Sequence, residues 1–294
     1  MSLQQQLEQI AAGLPAGKLG IYVKALKSGQ EWAVGADERY PLASVLKVPV
    51  LVEYCRQVRE GRLRPGDRIE LTHPSPGSGI LKELDPGLQP TLQDLVTLMI
   101  IRSDNTATDM VIAQVGLENT NRAMDRLGLK NIRVTMDCRT LLYNCFGLAN
   151  PGSPPEPELV AEYERRANAG ERDDNAIAYS NSLENDVGTA REMGILLELL
   201  CKGEAFDAVS SEAALAVLKR QQIRDRLPRL LPEDAKLAHK TGSIWGVRND
   251  VGIIYTPAGP VIASCLSGGC GDETAAAADA IARIGKAVWD QFSA

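Results

Sequence analysis

Ser44-Val45-Leu46-Lys47, Ser103-Asp104-Asn105 and Lys240-Thr241-Gly242 occur in that order in the chain. Their residue types suit acyl transfer. A serine hydroxyl is a weak nucleophile until a base within hydrogen-bond reach takes its proton. Lys47 lies three positions after Ser44, and on a helix that spacing puts both side chains on one face. Ser44 at the start of such a helix would also meet free N–H groups and the positive end of the dipole, which favour an oxyanion on the attacked carbonyl. By average composition about one Ser-x-x-Lys is expected by chance in a chain of this size, but only on the order of 0.1 each of Ser-Asp-Asn and Lys-Thr-Gly. The ordered trio carries the inference.

The elements that position the trio follow from periodicity. Val45, Val48, Leu51, Val52 and Cys55 recur near helical spacing, so Ala43 to Glu60 is expected as a helix. Thr91 with Asp94 three later resembles a capped start for a helix along Leu92, Leu95, Leu98 and Met99, which would deliver Ser103 at its end. Leu3, Leu7, Ile10, Ala11 and Leu14 mark an N-terminal helix. Ala277, Ile281, Ile284, Val288 and Phe292 mark a C-terminal one. Strands are expected over Leu19 to Leu26, Glu31 to Ala36, Lys236 to Ser243, Asp250 to Thr256 and Pro260 to Leu266, with a hairpin turn at Pro257-Ala258-Gly259. Strands at the chain ends and helices between them indicate α+β organisation.

Composition narrows the function classes. The chain has 294 residues, 44% hydrophobic content and a formal charge of -6. That is enough for a substantial core and argues against a nucleic-acid partner, since no basic stripe stands out. No run of about 18 apolar residues suggests a membrane span. Met1-Ser2-Leu3 runs directly into Gln4-Gln5-Gln6, so no signal peptide is expected in this chain. The 6 cysteines, Cys55, Cys138, Cys145, Cys201, Cys265 and Cys270, match no disulfide or zinc framework and are expected as buried thiols. With only His73 and His239 present, no metal centre is expected. No cofactor is called for. His239 flanks Lys240 on a strand and should face the other way.

Pro41-Leu42-Ala43-Ser44-Val45-Leu46-Lys47-Val48-Pro49, Ile101-Arg102-Ser103-Asp104-Asn105-Thr106-Ala107 and Ala238-His239-Lys240-Thr241-Gly242-Ser243 resemble the signature segments of class A serine β-lactamases and their penicillin-binding relatives. The resemblance spans most of the chain. It implies a β-lactamase/transpeptidase-like α+β fold, an antiparallel sheet flanked by terminal helices beside an all-helical domain. Residues 1–40 and 206–294 would form the sheet domain. Residues 41–205 would form the helical one, with an extended loop insertion at about 138–182. The site would lie between them.

The resemblance implies a serine hydrolase that opens β-lactam amides through an acyl-enzyme on Ser44. Ser103 would relay a proton to the leaving nitrogen, and Asn105 would contact the substrate amide and the lysine network. Asp104 would brace the loop. Lys240 and Thr241 would face the substrate carboxylate, and the backbone N–H groups of Ser44 and Ser243 would form the oxyanion hole, at roughly 3–4 kcal/mol per donor. Arg248 is a further candidate for that carboxylate, with a surface arginine as its alternative. Trp245 would rim the cleft.

Deacylation needs a base that activates water. Glu156-Pro157-Glu158-Leu159-Val160 resembles the family's glutamate run, with Glu156 as that base and Val160 where an asparagine is usual. An ungapped count selects Asp137 instead, because Asn150-Pro151-Gly152-Ser153-Pro154-Pro155 resembles an inserted loop. The charged run Glu162 to Asn175 is a solvated helix or flap, or else a lid. A D-Ala-D-Ala carboxypeptidase, an esterase-like relative and a sensor that acylates and stops are the competing readings. A monomer with a small β-lactam or D-Ala-D-Ala-like substrate is expected, and by resemblance a periplasmic or secreted one.

Overall fold

In the computed structural model the described residues are 1–152 and 154–293; Ser153, in the expected inserted loop, lies outside them. In chain order the helices and strands are α1 (Leu3–Ala12), β1 (Lys18–Ala25), β2 (Glu31–Val34), β3 (Arg39–Pro41), α2 (Lys47–Arg59), α3 (Leu92–Ile101), α4 (Asn105–Val115), α5 (Leu117–Arg126), α6 (Cys138–Asn144), α7 (Pro157–Ala169), β4 (Val187–Thr189), α8 (Ala190–Lys202), α9 (Ala208–Leu218), β5 (Lys236–Ile244), β6 (Val247–Thr256), β7 (Gly259–Gly268) and α10 (Thr274–Phe292).

The five-stranded sheet has the order β2-β1-β7-β6-β5, and every neighbouring pair is antiparallel. β1 pairs with β7 along its whole length, from Lys18 opposite Gly268 to Ala25 opposite Val261. That pairing joins the two ends of the chain. Strand side chains alternate between faces. Leu19, Ile21, Val23 and Ala25 pack with Val261, Ala263 and Cys265 against α1 and α10. Tyr22, Ile262 and Leu266 enter the other core, with the helices that follow β3. The sheet is therefore covered on both faces, in the α+β arrangement that the resemblance implies.

α2 is buried nearly all round, from Lys47 to Gln57, and forms the centre of the helical part. Its buried polar residues are paired: Arg56 donates to Glu53 at 2.6 and 2.7 Å. The helix does not start at Ala43 as its apolar spacing predicts. Ala43–Leu46 forms a 3₁₀ turn, and the α-helix begins at Lys47. Pro49 has no N–H to return to the carbonyl of Val45, so the entry tightens into i to i+3 bonds. α3 opens with the expected capping box: Thr91 Oγ1 accepts from the Asp94 N–H at 3.1 Å, and Asp94 Oδ2 accepts from the Thr91 N–H at 3.1 Å.

The expected loop insertion contains two helices, α6 and α7. No side chain of α7 is fully buried. Glu162 accepts from Arg165 and Arg166, so the charge run is a solvated helix as far as Ala169, and Glu171 to Asn175 follow it outside the helix. Tyr163 attaches this helix to α6 by stacking on Tyr143 at 4.5 Å. β6 also begins earlier than expected, at Val247, because the β5–β6 hairpin turns at Trp245 and Gly246. The cysteines are all unpaired thiols, buried except for half-buried Cys201. No helix is long and apolar enough to cross a membrane among the described residues.

Candidate active site

Three backbone features bring the trio together. Ala43 is held at φ +46° and Ser103 at φ +55°, in the left-handed region that costs a non-glycine residue about 1–2 kcal/mol. Both strained residues flank or carry a candidate side chain. The third feature is Gly242, where a Cβ would lie 2.5 Å from the carbonyl oxygen of Leu42. Only glycine lets β5 run this close to the turn that presents Ser44. Asn249 ties the same junction from β6, donating to the carbonyls of Pro41 and Leu42 at 2.8 and 3.0 Å.

Ser44, Ser103, Asn105, Thr241 and Ser243 line one cleft of about 300 Å³. Lys47 and Lys240 lie beneath it, with no exposed surface. Lys47 Nζ donates to Ser103 O at 2.8 Å, Ser103 Oγ at 3.2 Å and Asn105 Oδ1 at 2.9 Å. Lys240 Nζ donates to Ser103 Oγ at 2.9 Å and Thr241 O at 2.7 Å. No carboxylate is paired with either lysine among the described residues. Burial pushes the Lys47 ammonium below the usual lysine range, partly offset by Cys138, Asp109 and Asp104. Lys240 is held well below that range by burial, with Lys47 and Arg226 adding like-charge repulsion.

Asp104 is the N-cap of α4 and braces the loop. Its Oδ1 accepts from the Ala107 N–H at 2.9 Å, and its Oδ2 accepts from the N–H groups of Ile80 and Leu81 at 2.7 and 2.9 Å. Ser78 supports the same bend from outside the three motifs, donating to Ser103 O at 2.6 Å. His239 points away from the cleft, as alternation requires, and its Nδ1 lies 2.9 Å from Asp250 Oδ1.

Two sequence-derived candidates lie elsewhere. Arg248 does not line the cleft; its Nη1 donates to the carbonyls of Ile244 and Val247, both at 2.8 Å. The guanidinium at the cleft belongs to buried Arg226, which donates to Gly242 O at 2.9 Å, Asn249 O at 2.7 Å and Ser243 Oγ at 2.5 Å. Its burial pulls its pKa down from the ordinary arginine value. Arg226 stands in Ile223-Arg224-Asp225-Arg226-Leu227, where nothing in the sequence distinguishes it from its neighbour Arg224.

Glu156 is the second correction. It is exposed at the N-cap of α7 and is absent from the cleft lining. Glu156-Pro157-Glu158 is helix-start chemistry: proline at the first helical position loses no hydrogen bond, and an acidic first turn suits the dipole. Asp137 also stands outside the lining, as the N-cap of α6, accepting from the Thr140 N–H at 2.7 Å. The next residue, Cys138, does line the cleft, buried beside Lys47. Asp109 holds it there, accepting from the N–H groups of Cys138 and Arg139 at 2.7 and 3.0 Å. Burial raises the Asp109 carboxyl to about 6.

Trp245 does not line the cleft, although its neighbour Ile244 does. Its ring is taken by the insertion: Arg172 lies over it at 4.5 Å and Tyr179 meets it edge-on at 5.5 Å. Its Nε1 donates to Asp272 Oδ1 at 2.8 Å. Thus the segment after α7 is fastened to the β5–β6 hairpin.

Comparison with known proteins agrees with this architecture. The profile of the Beta-lactamase enzyme family matches residues 2–292. A Bacillus licheniformis β-lactamase is 27% identical over 257 residues, 85% of this chain and 71% of that protein. The crystal structure of a β-lactamase from Sphaerobacter thermophilus superposes with a TM-score of 0.78 at 29% identity, covering 99% of this chain and 96% of the other. The structure of PBP-A superposes with a TM-score of 0.79 at 25% identity, covering 99% and 95%. With the serine, the buried lysine pair and the Ser-Asp-Asn bend on one cleft, and a family match over the length of the chain, this protein belongs to the beta-lactamase enzyme family, among the class A serine β-lactamases and their penicillin-binding relatives.

Proposed function

We propose that this chain, a β-lactamase-family serine hydrolase, opens β-lactam amides with Ser44 as the nucleophile. The observation that carries the reading is the run of hydrogen bonds from Lys47 through Ser103 to Lys240 beneath the cleft that Ser44 lines. Burial favours a neutral amine at Lys47, which keeps two donors and gains one lone pair. That lone pair takes the Ser44 proton as Oγ attacks the carbonyl carbon. The tetrahedral oxyanion is met by the backbone N–H groups of Ser44 and Ser243. Ser103 passes a proton to the ring nitrogen as the C–N bond breaks, leaving an ester on Ser44. Arg226, Thr241 and the field of Lys240 receive the substrate carboxylate.

A second reading concerns the ester. Asp225 is the sole carboxylate among the described residues that line the cleft, and it adjoins Arg226 at 3.6 Å rather than Ser44's lysine. Cys138, a thiol whose pKa burial raises, stands beside Lys47. This favours slow hydrolysis of the acyl-enzyme, and a D-Ala-D-Ala-like peptide as a competing acyl donor.

Purified protein mixed with a chromogenic cephalosporin tests both readings. Ring opening with a mass adduct on Ser44, lost in Ser44→Ala, supports acylation. Release that continues past one equivalent gives hydrolysis its rate, while a single equivalent with a lasting adduct supports the second reading. No adduct and no release would refute the nucleophile assignment.

A further inference from the structure

The loop after α9 gives the Ser44 cleft three lining residues, Ile223, Asp225 and Arg226, and the end of β5 gives it Ile244. Loop and strand meet on this side of the cleft, because Arg226 donates to Gly242 O and Ser243 Oγ. The loop is pinned on both flanks. Gln221 donates to Ile100 O at 2.8 Å and accepts from the Ile223 N–H at 3.0 Å, while the Leu227 N–H donates to Asp250 Oδ2 at 3.0 Å. Residues presented in this way need no ordering when a ligand arrives, which lowers the entropic cost of binding.

Asp225 is the charge on this loop that the fold leaves unused. Its carboxylate accepts no hydrogen bond among the described residues. The nearest cation is Arg226 Nε at 3.6 Å, longer than a hydrogen bond, and that buried nitrogen has no partner of its own. The other guanidinium nitrogens of Arg226 are turned to β5 and β6. Ile223 and Ile244 are half-buried, so each keeps apolar surface at the cleft. An unpaired carboxylate on the same side as two isoleucines suits an apolar cation. Its charge meets Asp225, and its hydrocarbon displaces water from the isoleucines.

We propose that Ile223, Asp225 and Ile244 form a subsite for a cationic apolar group on the leaving-group side of a β-lactam, such as a pyridinium. The inference rests on the acylation reading above, in which Arg226 receives the substrate carboxylate. In a cephalosporin the ring carbon next to the one bearing the carboxylate carries a variable substituent. A cation on that substituent passes Arg226 and comes within reach of Asp225. The adjacent pair Asp225-Arg226 then reads opposite charges on neighbouring ring carbons, and the bound carboxylate offsets the repulsion between the guanidinium and the cation. Arg248, the other arginine whose charge is felt here, is turned to the carbonyls of Ile244 and Val247.

Two cephalosporins with the same acylamido side chain test the subsite, one carrying pyridiniummethyl and the other acetoxymethyl beside the carboxylate. Rapid-mix mass spectrometry follows acylation of Ser44 by each, and the quantity read is the ratio of their second-order rate constants. Intrinsic ring reactivity cancels when that ratio is compared between proteins. The ratio of cationic to neutral compound should fall about threefold in Asp225→Asn, the size of a partly exposed ion pair, and further in Asp225→Lys. Asp225→Glu should recover it. In the wild type about 0.5 M sodium chloride should lower the ratio as well, since the pair is open to screening. A ratio unchanged in Asp225→Asn, or insensitive to salt in the wild type, overturns the subsite while acylation of Ser44 stands. No adduct with either compound refutes the nucleophile assignment, and the subsite with it.

Discussion

Lys47 from α2 and Lys240 from β5 donate to the same oxygen, Ser103 Oγ, at 3.2 and 2.9 Å. Neither lysine has a carboxylate partner among the described residues, and both are fully buried. Two buried ammonium groups on one hydroxyl repel each other and lack solvent, so the pair favours losing a proton. Ser103 thereby sets the two lysines at a common point, the arrangement on which the proposed base role of Lys47 rests.

The pH dependence follows from that pair. Lys47 and Lys240 both have folded-state pKa values below the ordinary 10.5. Acylation should therefore rise with pH along a limb set by these lowered values, below 10.5. The same groups affect stability. Between the folded pKa and 10.5 the unfolded chain binds more protons, so their contribution to stability rises with pH across that window. Rapid-mix acylation rates against pH, compared in Lys240→Ala, check the assignment; a rate independent of pH from 6 to 10 would refute it.

Removing the cleft arginine should act on binding and on stability together. Arg226→Ala strands Gly242 O, Asn249 O and Ser243 Oγ, and hydrogen bonds from a charged group contribute about 1.5–3 kcal/mol each. The expected result is a raised KM for carboxylate-bearing β-lactams and a lower melting temperature. Arg248→Ala should raise KM far less. Steady-state kinetics and thermal melts on both variants separate these outcomes, and equal effects on KM would count against Arg226.

Glu156→Gln should change neither acylation nor the lifetime of the adduct, because Glu156 is exposed at the start of α7. Time-resolved mass spectrometry after a single addition of penicillin measures both. An adduct that accumulates only in the variant would restore Glu156 as the deacylating base.

Asp186 gives a prediction about stability alone. It is buried, its Oδ1 accepts from the N–H groups of Thr135 and Met136 at 2.6 and 3.0 Å, and its Oδ2 has no partner. Burial raises its pKa from 3.8 to about 7. A raised carboxylate pKa means the folded state binds more protons between those values, so stability falls as pH rises through them, by up to about 1.4 kcal/mol per pH unit for one group. Asp186→Asn should therefore gain on the wild type as pH rises from 4 to 8, as read by urea midpoints. A difference that stays constant with pH would show that Asp186 is not titrating in that range.

Much of the scaffold was legible because it rests on local rules. Thr91 and Asp94 cap α3 through neighbours three residues apart, and the apolar spacing of α10 and the strands follows helix and strand periods. Apolar spacing alone does not mark the 3₁₀ entry to α2, yet Pro49 carries its cause in plain view. Glu156 and Arg248 stand apart from the cleft for a different reason. Glu-Pro-Glu serves a helix start as well as a catalytic loop, and an arginine near β5 has several carbonyls within reach.

By itself the sequence singled out the motif residues that gather at or beneath one cleft: Ser44, Lys47, Ser103, Asn105, Lys240 and Thr241 belong to short motifs whose residue types and order already imply a hydroxyl, a base and a proton path. Only the tertiary structure decided which groups complete the cleft. Arg226 reaches it from a loop 17 residues before Ser243, and Cys138 lines it beside Lys47. The physical reason is range. Helix spacing, caps and strand alternation act over a few residues and are written in the local pattern, whereas a buried charge or an orphaned nitrogen takes its meaning from whichever distant segments the packing brings against it.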